Sequence, residues 1–332
     1  MEGQIYKIHS DFYYVQANGC TYECKMREVL KKQQLRIVAG DNVEFSGGYI
    51  TKLLPRKTYI QRPAVANVDQ IVVVSALKHP DLDFHQLNRY VALAKYYKIP
   101  VILCFNKEDL GLENNLRDEI LEIYSPLGYK IVFTSALEHL GLGEFRELLK
   151  GKISALCGNS GVGKSSLINA LNPNVHLRTK EVSEKLNRGT HTTRHCEIIP
   201  LDETSAIVDT PGFSNVRFDF ILPHDIDLLF PEMVEFRELC KYGDCLHINE
   251  DGCGVLENID KIAESRYESY IEFVSEALEY KEKVKYNGVK KETAGKFKNN
   301  KMQPKISDKK RRAARNTQKQ NIYKELDEDE NE

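Results

Sequence analysis

A glycine-rich segment at residues 158–166 has the residue types and spacing needed to hold the phosphates of a nucleotide. Its sequence, Gly-Asn-Ser-Gly-Val-Gly-Lys-Ser-Ser, follows an apolar run at 153–157 and precedes a helical pattern, which is the setting of a P-loop. Lys164 would reach the β- and γ-phosphates, and Ser165 would offer its hydroxyl to Mg²⁺. A chance glycine loop is the alternative, but it does not explain why both flanks fit. The predicted phosphate contacts are Gly158, Asn159, Ser160, Gly161, Val162, Gly163, Lys164, Ser165 and Ser166.

The segment Asn-Lys-Glu-Asp at 106–109 has the chemistry to select a guanine base. The Asp109 carboxylate would accept hydrogen bonds from the ring N–H and the exocyclic amine of guanine, a donor pair that adenine does not offer. Asn106 would bond the base and brace neighbouring loops, and Lys107 would lie along the ring plane. A tetrapeptide is a weak signal alone, but this one ends a predicted buried strand, where α/β sheets bind ligands. The predicted contacts to the guanine O6 are the backbone amides of Ser135 and Ala136, which follow the next strand.

Two polar segments downstream would complete the site around Mg²⁺ and the γ-phosphate. Residues 186–196 are polar and turn-prone, and Thr193, or failing that Thr192, would ligate Mg²⁺ and sense the γ-phosphate. Farther along, Asp209 would hold Mg²⁺ through water, and the Gly212 amide would touch the γ-phosphate. An ordinary surface loop remains the alternative for 186–196. The predicted Mg²⁺ ligands are therefore Ser165, Thr193 and Asp209.

Phe213 stands where many GTPases carry the glutamine that orients the attacking water, and a phenyl ring does not do so. Hydrolysis by the chain alone is therefore expected to be slow, unless another group positions the water. His191 is the nearest candidate in the sequence, and a packing role for it is equally open. The predicted catalytic residues are His191, Lys164 and Thr193.

Cys240, Cys245, His247 and Cys253 lie within fourteen residues with the spacing Cys-x₄-Cys-x-His-x₅-Cys. Three thiols and one imidazole predict a closed, tetrahedral and structural Zn²⁺ site, since they leave no ligand position open. Reduced thiols without a metal are the alternative. The remaining cysteines, at 20, 24, 104, 157 and 196, lie in predicted strands or loops and are expected to be structural.

The pattern of apolar residues places these segments in separate folded units. Five short alternating strands within residues 1–62 predict a small OB-type β-barrel, whose role would be RNA binding or packing. From residue 69, apolar strands alternate with helical patterns, which predicts a mainly parallel sheet in an α/β domain. Helices at 225–239 and 259–283 flank the metal segment. The predicted domains are 1–63 (barrel), 64–222 (α/β P-loop domain), 223–285 (α-helical zinc module) and 286–332 (disordered tail, basic and then acidic).

The chain has 332 residues and a net charge of −2 that hides a strong asymmetry. Residues 281–320 contain fifteen Lys or Arg and three acidic residues, so this stretch carries +12 and leaves −14 for the rest. A basic tail on an acidic body favours a polyanionic partner, although a solvated tail without a partner has the same composition. In the barrel, the residues that favour RNA are Lys25, Arg27, Lys31, Lys32, Arg36, Arg56 and Lys57, with Phe12, Tyr13 and Tyr14 nearby.

Neither an export signal nor a run of eighteen apolar residues is visible in the sequence. The protein is therefore expected to be soluble and cytoplasmic, with no membrane partner. It is also expected to be a monomer.

The order of these motifs resembles a circularly permuted GTPase, because the base-reading segments precede the P-loop, the switch threonines and Asp-x-x-Gly. With a barrel in front and a zinc module behind, residues 1–285 resemble the RsgA (also YjeQ) family of ribosome small-subunit-dependent GTPases. Residues 66–70 and 209–213 also match stretches typical of that family. Thr190 departs from it, since the family usually has arginine before the switch histidine, and Asn159 departs from it in the P-loop. Neither departure removes a phosphate or metal ligand.

The resemblance implies a late-stage assembly factor of the 30S ribosomal subunit that binds 16S rRNA and leaves when it hydrolyses GTP. Its cofactors would be GTP or GDP, Mg²⁺ and one structural Zn²⁺, and the 30S subunit would stimulate hydrolysis. Because Gly212 and Phe213 lead almost directly into the zinc module, loss of the γ-phosphate would move an RNA-binding surface. Three alternatives stay open: an ATP-using P-loop enzyme, an RNA-binding module in which nucleotide is structural, and a GTPase of the large subunit.

Overall fold

The computed structural model of the chain describes residues 1–32, 36–111, 115–173, 175, 196–209, 217–287, 295–298 and 301–304. These residues form a barrel, a central α/β domain, a helical C-terminal region and a short hairpin. Within them, no helix has both the length and the apolar character needed to cross a membrane.

The N-terminal segment closes into a barrel because its strands alternate buried and exposed positions, with Ile5, Val15 and Ile50 in the interior. Its elements are β1 (Glu2–His9), β2 (Phe12–Ala17), β3 (Cys20–Met26), α1 (Glu28–Lys32), β4 (Asn42–Ser46) and β5 (Tyr49–Leu53). The strands follow the order β1-β2-β3-β5-β4, and β1 pairs back onto β4. This arrangement confirms the predicted five-stranded, OB-type barrel.

A short hairpin that the sequence pattern did not reveal joins the barrel to the next domain. Its strands are β6 (Tyr59–Gln61) and β7 (Ala64–Ala66), each too short to show an alternating pattern. Gly40 approaches the hairpin so closely that a Cβ at this position would lie 1.9 Å from the Ala66 carbonyl oxygen. The Asn67 side chain donates to the Gly40 carbonyl (2.8 Å) and accepts from the Lys57 amide (2.8 Å), which fixes the barrel to the domain that follows.

The central domain is built on a mainly parallel sheet, as predicted. Its strands are β8 (Gln70–Ala76), β9 (Val101–Asn106), β10 (Lys130–Thr134), β11 (Ile153–Cys157), β12 (Glu197–Pro200) and β13 (Ala206–Asp209). In the described part of the chain they lie in the order β10-β9-β8-β11-β13-β12, and β12 pairs antiparallel with β13 at one edge. The strand before the P-loop, β11, therefore lies inside the sheet, between β8 and β13.

Helices cover both faces of this sheet. They are α2 (Phe84–Tyr96), α3 (Leu116–Tyr124), α4 (Leu142–Leu149) and α5 (Lys164–Leu171). Ile71 and Val73 of β8 belong to the core that contains α2 and α3, whereas Val72 and Val74 belong to the core that contains α4 and α5. Successive side chains in a strand point to opposite faces, so the unbroken apolar run of β8 is buried on both sides.

The C-terminal region is helical, but both predicted helices begin later than expected. The pattern predicted one helix over 225–239; instead the 3₁₀ turns Pro223–Asp225 and Asp227–Leu229 precede α6 (Pro231–Arg237). Pro231 has no amide hydrogen and is tolerated in a first helical turn, so α6 begins there. The helix predicted over 259–283 is α7 (Glu264–Asn287), which follows a 3₁₀ turn at Leu256–Lys261.

In the basic tail, β14 (Gly295–Lys298) and β15 (Lys301–Pro304) pair as an antiparallel hairpin. The prediction of disorder for the remaining residues after 287 lies outside the described part of the chain.

Candidate nucleotide site and metal centre

The glycine-rich segment forms a tight loop between β11 and α5, which is the strand–loop–helix context that the sequence predicts. Gly158 and Gly163 have φ angles of 144° and 98°, in the region that favours glycine. A Cβ on Gly158 would lie 2.1 Å from the Val74 carbonyl oxygen, and a Cβ on Gly163 would lie 2.2 Å from the Asn106 side-chain nitrogen. These glycines therefore allow the loop to pack directly on β8 and on the end of β9.

Lys164 and Ser165 open helix α5. The Lys164 ammonium donates hydrogen bonds to the carbonyl oxygens of Gly158 and Asn159, both at 2.8 Å. The cation is thus held across the beginning of the loop, next to the N-terminal end of α5, where the helix dipole favours an anion. This arrangement fits a phosphate-binding role, which stays a prediction for all nine loop residues.

Asn106 joins the loop to the base-reading segments. Its side-chain nitrogen donates to the Val162 carbonyl (2.9 Å), and its oxygen accepts from the Thr134 hydroxyl and the Ala136 amide, both at 3.2 Å. The Asn106 side chain is only 1% exposed, so protein groups and not water satisfy its hydrogen-bonding atoms. Three segments that are separate in the sequence therefore meet at one amide group.

This use of Asn106 refines its predicted role. The sequence assigned it both a bond to the base and a bracing function, and the bracing contacts engage both ends of its amide. The neighbouring amides are also bonded within the protein: Ser135 donates to the Leu140 carbonyl (3.1 Å), and Ala136 donates to Asn106. The predicted contacts of these amides with guanine O6 remain predictions.

The other base-reading residues follow Asn106 in a sharply turned segment. Lys107 has a left-handed φ of 68°, and its ammonium donates to the carbonyl oxygen of His79. Burial lowers the pKa of Lys107, and the nearby Asp109 carboxylate opposes that shift. Asp109 lies in the 3₁₀ turn Glu108–Leu110 and is half-buried, so its carboxylate remains within reach of a ligand.

The predicted switch residues fall largely outside the described part of the chain. These are His191, Thr192, Thr193 and Gly212, together with Phe213 and the side chain of Asp209. The backbone of Asp209 is described: it ends β13 and pairs with Leu156, one residue before the end of β11. The topology thus brings the start of the Asp-Thr-Pro-Gly segment beside the P-loop.

Tyr90 is a contact of the loop that no sequence motif indicates. It lies in α2, is 2% exposed, and its hydroxyl donates to the Asn159 side-chain oxygen at 3.0 Å. Burial raises the pKa of this phenol. In the sequence Tyr90 is one apolar-face residue of an amphipathic helix, so no signal distinguishes it from ordinary core.

The four predicted metal ligands, Cys240, Cys245, His247 and Cys253, converge, and each offers one ligand atom within 4.8 Å of the others. His247 Nδ1 lies 3.5 Å from Cys240 Sγ and 3.3 Å from Cys253 Sγ. Burial raises the pKa of the Cys245 thiol to about 12, and a bound cation would act in the opposite direction. Three of the four residues are buried and Cys240 is half-buried. Three sulfurs and one nitrogen in a closed group fit a metal ion that prefers tetrahedral soft donors.

Asp227 orients the histidine of this cluster. Its Oδ2 lies 3.2 Å from His247 Nε2 and 3.0 Å from Arg237 Nε. An N–H at Nε2 that donates to the carboxylate leaves Nδ1 with a lone pair directed at the thiols, which is the arrangement found behind metal-binding histidines. Asp227 is buried and was not singled out from the sequence, because it lies twenty residues before His247.

Two family models match the chain: RsgA GTPase over residues 53–219 and RsgA N-terminal domain over residues 2–49. The small ribosomal subunit biogenesis GTPase RsgA of Agathobacter rectalis is 39% identical over 290 residues, covering 81% of this chain and 96% of its own. The protein of the same name from Thermotoga maritima is 41% identical over 287 residues, covering 83% of this chain and 96% of its own.

Two solved structures share the fold. The crystal structure of YjeQ from Thermotoga maritima has a TM-score of 0.73 at 37% identity and covers 83% of this chain and 98% of its own. The structure of YloQ, described as a circularly permuted GTPase, has a TM-score of 0.69 at 30% identity and covers 84% of this chain and 95% of its own. The permuted motif order, the barrel and the sequence relatives agree, and the chain belongs to the RsgA GTPase family.

Proposed function

We propose that this chain binds GTP and GDP in the crevice between the P-loop, residues 106–109 and residues 134–136, and hydrolyses GTP there. The observation that carries the proposal is the position of Asn106, whose amide holds all three segments together at the carboxyl ends of β9, β10 and β11. Such strand ends are where α/β sheets bind ligands. Asp109 makes the site prefer guanine to adenine, and the backbone amides of Ser135 and Ala136 donate hydrogen bonds to the guanine O6.

The phosphate end of the proposed site follows from the helix and loop geometry. Lys164, now bonded to two loop carbonyls, exchanges them for phosphate oxygens, while the N-terminal amides of α5 add further donors. Ser165, Thr193 and Asp209 have the oxygen atoms that would hold Mg²⁺. A bound Mg²⁺ would neutralise negative charge on the phosphates. Thr192 is the alternative to Thr193 as the Mg²⁺ ligand. The backbone amide of Gly212 donates to the γ-phosphate.

Water activation is the weak step of the proposed reaction. Phe213 offers no hydrogen-bonding group where many GTPases use glutamine, so turnover by the chain alone is slow. We propose His191 as the group that orients water once the switch segment is arranged by a partner. The partner would then stimulate turnover without contributing nucleotide contacts of its own.

The metal cluster is proposed to hold one structural Zn²⁺. Cys240, Cys245, His247 and Cys253 fill a tetrahedral shell and leave no position for substrate, so the ion would stabilise the C-terminal region and not act in hydrolysis. Metal binding of this kind contributes on the order of 10 kcal/mol to the folding of a small module. We also propose that the domains end at residues 63, 222 and 285.

The partner is proposed to be the 30S subunit, with 16S rRNA as the contacted polymer. Support comes from the names of the relatives and from a groove on the barrel, where Lys25 Nζ lies 4.8 Å from the Phe12 ring centroid and Tyr49 is exposed. Aromatic faces beside cations bind single-stranded nucleic acid. Arg56 is less suited to RNA than the sequence implied, because Asp41 holds it at 2.6 Å. The groove is lined by Asp11, Phe12, Lys25, Met26, Arg27, Glu28, Lys31 and Tyr49.

In this proposal the protein acts late in 30S assembly, as a monomer in the cytoplasm, and leaves when GTP is hydrolysed. Phosphate release from GTP, measured alone and with purified 30S or 50S subunits, tests it. We expect slow turnover alone, strong stimulation by 30S subunits and none by 50S subunits. Lys164→Ala should abolish the stimulated rate, whereas Lys150→Ala, at an exposed position after α4, should not. Undiminished stimulation of Lys164→Ala would refute the role proposed for Lys164. No stimulation by either subunit would favour an RNA-binding module with structural nucleotide, and stimulation by 50S subunits alone would favour a large-subunit factor.

A further inference from the structure

Helix α2 contacts the P-loop through one side of its surface. The hydroxyl of Tyr90 donates to the side-chain oxygen of Asn159 at 3.0 Å, and Asn159 is the second residue of the loop. The Lys164 ammonium is bonded to the carbonyl of this same Asn159 (2.8 Å). The position of Asn159 therefore affects both the loop backbone and the cation that is to meet the phosphates.

The residue before Tyr90 contacts the C-terminal helix instead. Arg89 donates to Glu272 (2.7 Å) and to Glu276 (2.8 Å) of α7, and its guanidinium carbon lies 4.6 Å from the Phe273 ring centroid. The side chains of Arg89 and Glu276 are only 9% and 13% exposed. An ion pair this well buried holds its geometry strongly, because breaking it leaves an uncompensated charge.

Glu276 also contacts the residues that follow the Asp-Thr-Pro-Gly-Phe segment in the chain. Its Oε2 accepts the backbone N–H of Phe218 at 3.0 Å, and its Oε1 lies 3.8 Å from Arg217 Nε. Arg217 and Phe218 are the first described residues after the Asp-Thr-Pro-Gly-Phe segment at 209–213. One carboxylate of α7 therefore joins α2 to the chain that leaves the predicted γ-phosphate sensor.

We propose that Tyr90 is a positioning residue for the P-loop, and that α2 transmits the position of α7 to the loop through the adjacent Arg89 and Tyr90. The C-terminal region then sets the affinity for nucleotide without contacting it. The proposal rests on the nucleotide site proposed above. It requires that the Tyr90–Asn159 bond and the Arg89–Glu276 pair act together, which simple packing of α2 against α7 does not require.

The first test measures the dissociation constant of a fluorescent GDP derivative by titration of the full-length protein. Tyr90→Phe should weaken binding about fivefold, the effect of one neutral hydrogen bond. The matched control is Tyr97→Phe, since Tyr97 directly follows α2 and its hydroxyl accepts from the Gln61 amide (3.3 Å) in the hairpin near the barrel. Loss of folded protein would lower the number of binding sites in the titration, not the affinity, so the two effects are separable. An unchanged affinity for Tyr90→Phe would overturn the proposal.

The second test is a double-mutant cycle with Glu276→Gln, which keeps the shape of the side chain but removes its charge. With Tyr90 present, Glu276→Gln should raise the dissociation constant of the GDP derivative about threefold or more. In the Tyr90→Phe variant the same substitution should raise it by less than half that factor, because the effects of coupled residues are not additive. Additive effects, or no effect of Glu276→Gln with Tyr90 present, would overturn the transmission through α2. If the unsubstituted protein failed to bind GDP, the nucleotide site itself would be refuted, which is a different result.

Discussion

The side-chain nitrogen of Asn106 donates a hydrogen bond of 2.9 Å to the carbonyl oxygen of Val162, 56 residues later in the chain. This bond joins the segment that would read the base to the loop that would hold the phosphates. A circular permutation changes which segments are continuous in sequence but leaves such contacts intact, because they depend on the order of strands in the sheet. β8 lies between the strand that ends at Asn106 and the strand that precedes the P-loop. The three strands are parallel, so their carboxyl ends lie on the same side of the sheet.

Replacement of Asn106 by alanine should disconnect these segments. The change leaves the Val162 carbonyl, the Thr134 hydroxyl and the Ala136 amide without this partner in a buried place. We expect the free energy of unfolding to fall by about 1–3 kcal/mol and nucleotide affinity to fall at least about tenfold. Urea unfolding and GDP titration measure the two effects. Gln4→Ala, which removes a half-buried amide of β1 that donates to the Gly40 carbonyl (3.1 Å), should lower stability without changing GDP affinity.

Asp109 should decide which base the site accepts. In Asp109→Asn the carboxylate that accepts from the guanine ring N–H and amine becomes an amide with a donor in that place, so GTP affinity should fall by about 100-fold or more. Xanthosine nucleotides, which carry an oxygen where guanine has its amine, should bind the variant better than the original protein. Competition titrations with GTP, XTP and ATP measure the preference. If the unsubstituted protein prefers ATP, the ATP-using alternative is favoured. If it prefers GTP and that preference survives the change, Asp109 is not the residue that selects the base.

Asp227 should strengthen metal binding without being a ligand. Its carboxylate is 3.2 Å from His247 Nε2, so Asp227→Asn should leave the four ligand residues in place but lower Zn²⁺ affinity by about 10–100-fold. Competition with a chromophoric chelator measures the affinity, and metal analysis of the purified protein gives the stoichiometry. Asp225→Asn, a half-exposed neighbour that pairs with His224, is the control and should not alter it. Equal metal affinity for Asp227→Asn would show that His247 is oriented by other contacts.

The strands around the P-loop were predictable because each contains a short, unbroken run of apolar residues, which is typical of a strand buried on both faces. The Ile-Val-Val-Val run of β8 and the apolar residues before Gly158 indicate strands without any tertiary information. The contacts between elements were not predictable in this way: Tyr90 and Asn159 are 69 residues apart, and nothing in either segment identifies the partner. Pro231 was visible in the sequence, but the apolar spacing over 225–239 obscured the break that it causes.

Gly163 tests whether the close approach of the P-loop to Asn106 is essential. Its φ of 98° strains any other residue, and a Cβ would lie 2.2 Å from the Asn106 side-chain nitrogen, so Gly163→Ala must displace either the loop or the amide. We expect a loss of stability of about 1–3 kcal/mol and loss of GDP binding at micromolar protein. Gly143→Ala in α4 is the control, because a Cβ there meets open space, and alanine should be neutral or stabilise the protein by up to about 1 kcal/mol. Thermal unfolding and GDP titration of both variants distinguish the two sites. Tight GDP binding by Gly163→Ala would mean that the loop reaches the phosphates by another conformation, and the bracing role assigned to Asn106 would then be wrong.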